Sequence, residues 1–117
     1  MKIFVRILFF TYILVIFFLS VYPYPEKIIK TDLSDKIEHA VAFAVYVFLF
    51  YFSFVRVSKL FAFLTGLIFG ILIEIAQIFS PNRDPSLLDI VADVVGLGIG
   101  LLGIVMINKI NKGHKAP

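Results

Sequence analysis

LFAFLTGLIFGILIEIAQIF, residues 60–79, carries one formal charge, Glu74, in a run otherwise fit for lipid. About 20 such residues, each rising about 1.5 Å, cross the hydrocarbon core of a bilayer. Three further stretches share this character: Ile3–Tyr22, Ile37–Val55 and Leu87–Ile107. Inside lipid every backbone N–H and C=O must be satisfied within its own segment, so all four are expected as helices. The expected fold is all-α: an integral membrane four-helix bundle forming one domain over residues 1–117.

Composition supports that reading. The 117-residue chain is 61% hydrophobic and 16% charged, against roughly 45–50% and 25% in soluble domains. A fold of this size lacks the interior to hide so much apolar side chain from water. A soluble enzyme, a disordered tail and a free-standing nucleic-acid binder are therefore not expected. With no cysteine, disulfides, zinc–thiolate sites and Cys nucleophiles are excluded too. The net charge of +3 comes from basic residues at segment ends, where anionic lipid, not nucleic acid, is the expected partner.

The first stretch has the basic start of a signal peptide, Lys2 and Arg6. However, Leu19-Ser20-Val21-Tyr22 lacks a small-x-small cleavage pattern, so a retained helix is expected, with Tyr22 and Tyr24 at the interface. Orientation follows from Lys and Arg. Lys2, Arg6, Arg56, Lys59, Lys109, Lys112 and Lys115 fall on one side of the bundle; Lys27, Lys30, Lys36 and Arg83 fall on the other. The richer side is expected in the cytoplasm, with both termini there and residues 25–36 and 80–86 outside.

A charge at the centre of a lipid-facing helix costs about 2.5–3.5 kcal/mol on the insertion scale, so its position is informative. Asp35, His39, Ala42 and Tyr46 share one face of the second helix by their spacing. Gly66, Gly70, Glu74 and Gln77 do so on the third, and Asp89, Asp93, Gly96, Gly100 and Gly103 on the fourth. All three stripes carry their ionisable residues toward the outer end. Gly66-xxx-Gly70 and Ala92-xxx-Gly96-xxx-Gly100 supply the small surfaces that lipid-embedded helices use for close approach.

Simpler roles stand beside a shared polar site. Ser34 with the acids after it, and Ser86-x-x-Asp89, match helix N-terminal capping patterns. Lys36 and Glu38 fit solvated interface positions, His39 fits a packing histidine, and Arg83 fits a solvated loop. Glu74 and Asp93 lie deeper, where an ionisable residue marks function or a structural interhelical pair. The second and fourth helices start on the outer side and direct free N–H groups there, which suits an anionic headgroup. Lys36, His39 and Arg83 would neutralise that headgroup; Asp35, Glu74, Gln77, Asp89 and Asp93 would orient it or move protons. His39 with carboxylates is a hard-ligand set. With one candidate histidine and no H-E-x-x-H, neither metal nor cofactor is expected. P-loop, dinucleotide and Ser–His signatures are absent from the sequence.

Asp35-Lys36-x-x-His39, Glu74-x-x-Gln77, Arg83, and Asp89 with Gly96 follow one another in the order found in the VanZ-like family of small bacterial membrane proteins, which the chain resembles over roughly residues 35–100. Asp93 departs from that pattern, which favours Asn there. The resemblance implies a multi-pass protein of the bacterial plasma membrane and cell envelope. Through the family's name-giving member it is associated with low-level resistance to the glycopeptide teicoplanin. It supplies no established reaction. Three functions are thus expected to compete. The first is binding or modification of an anionic lipid-linked cell-wall intermediate, with membrane lipids as partners. The second is an intramembrane transferase or hydrolase with Glu74 or His39 as base. The third is a non-catalytic subunit of a membrane complex.

Overall fold

The structure, a computed structural model, describes residues 2–22, 32–54, 57–81 and 85–115. It contains four helices: α1 (Lys2–Val21), α2 (Asp32–Ser53), α3 (Lys59–Gln77) and α4 (Leu87–Lys115). All four are long and apolar enough to cross a membrane. That is compatible with a multi-pass membrane protein.

Two boundaries differ from expectation. Helix α2 starts at Asp32, not Ile37, because apolarity marks where lipid begins, whereas the helix continues into the polar turn ahead of it. Ser34 therefore lies inside α2 and is not its N-cap. Helix α4 runs on to Lys115 instead of ending at Ile107. Its 29 residues extend about 43 Å, well beyond a 30 Å hydrocarbon layer. Ser58 caps the start of helix α3: its Oγ accepts the N–H of Phe61 at 3.0 Å, the usual satisfaction of a free helix-end donor.

The bundle is a rhombus. Helix α2 packs most extensively on α4 and also meets α1 and α3, while α3 meets α1 and α4; α1 and α4 do not touch among the described residues. Glycine sets the α2–α4 separation. A Cβ on Gly96 would collide with the Ala40 backbone, and one on Gly100 with Ala44 O and Val47. This is the close approach expected from the small-residue stripe. It ends at Gly100, since a Cβ on Gly103 would meet nothing within 4 Å.

Below the polar end, Phe9, Phe43, Tyr46, Val47, Ala62, Ile73 and Leu97 form the buried core. Tyr46 stacks on Phe69 with ring centroids 5.5 Å apart, and Phe9 meets Tyr46 edge-on at 5.4 Å. The outward faces, such as Ile68, Leu72 and Ile75 on α3, stay exposed, which is compatible with helices that cross a membrane.

Helix α1 makes polar as well as apolar contacts with its neighbours. Arg6 Nε donates to Ser53 O at 2.8 Å, which places a cation on the final carbonyls of α2, the negative end of its dipole. The same guanidinium lies 5.5 Å above the Phe54 ring. Tyr12 Oη donates to Ala42 O at 2.7 Å, and Gln77 Nε2 to Ser20 O at 2.8 Å.

Candidate functional site

One end of the bundle brings together the start of α2, the last turn of α3 and the start of α4. His39 and Asp93 sit about 10 Å and 9 Å in from their helix starts, and Glu74 about one turn from the end of α3. His39 Nδ1 is 2.9 Å from Asp93 Oδ1. On its other side His39 Nε2 lies 3.8 Å from Asp89 Oδ2 and 4.0 Å from Asp35 Oδ2. Lys36 closes the outer rim: its ammonium bonds to Asp89 and lies 3.3 Å from Asp35 Oδ2. Six ionisable residues from three helices thus share one cluster: the five on the three stripes, Glu74 among them, and Lys36, which lies off the stripes.

Burial grades inward. The side chains of Lys36 and Asp35 are 28% and 27% exposed and that of Asp93 1%. Asp93 fits so deeply because Gly70 leaves room for it; a Cβ on Gly70 would stand 2.6 Å from Asp93 Oδ2. The glycine below Glu74 thus cradles the acid of the neighbouring helix.

Glu74 is held from the start of α4. Its Oε2 accepts the backbone N–H of Ser86 at 2.9 Å, while Ser86 Oγ accepts Leu88 N–H at 3.1 Å and caps α4. In a capping box the third helical residue, here Asp89, would take the N–H of the cap residue. Glu74 takes it from another helix, and Asp89 turns to Lys36 and His39. Ser86 is therefore both a cap and the anchor of Glu74, a role that Ser86-x-x-Asp89 spacing alone conceals.

One expected site residue falls elsewhere. Gln77 is buried and tied to α1 through Ser20, because its position beyond Glu74 turns its amide toward the α1–α3 seam. Arg83, like Tyr24, Lys27 and Lys30, lies outside the described residues. Glu74 Oε1 and Asp93 Oδ2 are buried with no hydrogen-bond partner among the described residues.

Chemically, the cluster holds four carboxylates, one ammonium and one imidazole. It can hold a cation, accept hydrogen bonds from hydroxyl or amine groups, and pass a proton between Asp93 and His39. Compared with known proteins, the chain matches no family model, no curated protein and no solved structure.

Proposed function

We propose that this chain is a multi-pass protein of the bacterial plasma membrane whose acid–histidine cluster faces outward and binds the headgroup of an anionic, lipid-linked envelope molecule. The carrying observation is the His39–Asp93 pair at 2.9 Å with Glu74 beside it, drawn from three helices into one buried end. Intramembrane ionisable groups gathered in this way mark ligand or proton sites. The likeness of residues 35–100 to VanZ-like proteins fits an envelope role and rests on those residues alone.

The charge distribution defines how the headgroup is held. Lys36 is engaged by Asp35 and Asp89, and His39 by Asp93. Hydroxyl or amine groups of the ligand meet the carboxylates. Its anionic part needs a further positive partner, such as Arg83 or a bound cation. The test is native mass spectrometry of gently extracted protein. A co-purifying lipid is expected on the wild type and expected to be lost from His39→Ala and Glu74→Ala, with expression unchanged. Equal lipid on all three proteins rejects the reading.

One observation favours a catalytic version. Asp93 Oδ1 fixes His39 Nδ1 and leaves Nε2 toward the rim, the orientation by which a carboxylate prepares an imidazole as general base. Headgroup turnover with a pH–rate profile that shifts in Glu74→Gln would establish it; tight binding without product would return the role to capture alone.

A further inference from the structure

We propose that His39, Glu74 and Asp93 form a binding site for a divalent transition-metal ion, of the Zn²⁺ or Mn²⁺ class. One ligand atom from each lies within 4.8 Å of the other two. Bonds of about 2.0–2.2 Å in a four-coordinate site set ligand atoms about 3.4 Å apart. A contraction of at most about 1.4 Å therefore closes the site.

A second observation points to the same ligand. Glu74 is 6% exposed and Asp93 0%, yet each keeps a buried oxygen without a partner among the described residues, Oε1 and Oδ2 respectively. Buried carboxylate oxygens are otherwise hydrogen-bonded or on a cation. Glu74 Oε2 is already held by Ser86 N–H, which orients the carboxylate and leaves Oε1 for a metal, as an outer partner does for a metal ligand.

Charge selects this triad over its neighbour. Asp35, His39 and Asp89 also stand within ligand range of one another, but the Lys36 ammonium already bridges those two acids. No ammonium or guanidinium bridges Glu74 and Asp93 among the described residues; Asp93 meets only the His39 imidazole, and a divalent ion neutralises both acids together. One imidazole with two carboxylates suits Zn²⁺ or Mn²⁺ better than the all-oxygen sets of Ca²⁺ and Mg²⁺. On loading, the ion replaces the proton shared by His39 Nδ1 and Asp93 Oδ1, and that proton leaves to solvent.

The experiment uses the full chain in mild detergent, stripped with chelator, with His114→Gln throughout so that His39 is the single histidine. Zn²⁺ and Mn²⁺ are titrated alone by calorimetry, without lipid, so the outcome is independent of headgroup capture. One ion per chain is expected, with affinity falling at least about tenfold in Glu74→Gln and Asp93→Asn and staying within about threefold in Asp35→Asn. Glu74→Gln keeps an acceptor for Ser86 N–H, so loss of binding there is not loss of the cap. The Mn²⁺-loaded protein with His39 intact should show ¹⁴N coupling from an imidazole in pulsed electron paramagnetic resonance, which depends on no ligand variant folding. Absence of binding for both ions, absence of ¹⁴N coupling, or an affinity lost in Asp35→Asn and kept in Glu74→Gln would overturn the assignment.

Discussion

At the scale of single residues, removing one member of a buried ion pair leaves the other charged and unmatched, which costs about 3–5 kcal/mol. Lys36 retains 28% side-chain exposure while Asp89 has 5%, so Lys36→Met is expected near the low end, about 3 kcal/mol. The double variant Lys36→Met/Asp89→Asn removes both charges and should recover more than half of that loss in thermal unfolding of the detergent-solubilised protein. Failure to recover would mean that Asp35, the other acid on Lys36, carries the loss. Glu74 separates a backbone role from a charge role. Glu74→Ala forfeits the bond to Ser86 N–H and should cost about 1 kcal/mol of helix capping, whereas Glu74→Gln should unfold within a few tenths of that figure of the wild type. Gly70→Ala drives a methyl against the Asp93 carboxylate. A side-chain end can yield, so it should disturb the His39–Asp93 pair and lower lipid capture while leaving the melting temperature nearly unchanged.

At the scale of helices, the glycines are not equivalent, though Gly96, Gly100 and Gly103 share one face by spacing. An alanine at Gly96 meets the backbone of Ala40, which no rotamer change relieves. Gly96→Ala is expected to cost about 1–3 kcal/mol by overpacking. Gly66→Ala meets side chains, Leu97 and Tyr46, and should cost less; Gly103→Ala should be neutral. A melting series in one detergent checks the order Gly96, Gly66, Gly103, and a different order would mean that the α2–α4 separation is set elsewhere. Here the stripe was legible in the sequence, because small residues recur at helical spacing. Which helix each glycine faces was not. Gly96 and Gly100 lie on α2, while Gly66 and Gly70 receive side chains from α4. Spacing gives a direction around an axis, and the neighbour in that direction depends on how all four helices are arranged.

At the scale of the whole molecule, the cluster occupies one end of the rhombus, and its sidedness is testable because the chain has no native cysteine. Pro85, beside the cluster, and Asn111, near the far end of α4, are both exposed. If the cluster faces outward, Pro85→Cys should react with an impermeant maleimide in intact cells and Asn111→Cys only after lysis. The reverse pattern would invert the topology. The sequence alone determined four apolar helices and the end at which their ionisable residues lie, because lipid imposes segment length, helical backbone and a penalty on every misplaced charge. Those constraints act locally, so a chain read residue by residue displays them. Only the tertiary structure decided that Glu74 would take up Ser86 N–H in place of Asp89, that Gln77 would bind α1, and that His39 would stand between Asp93 and the rim. Each of those choices is a competition among several polar groups for one partner, and the winner is fixed by distances across helices that no spacing along the chain encodes.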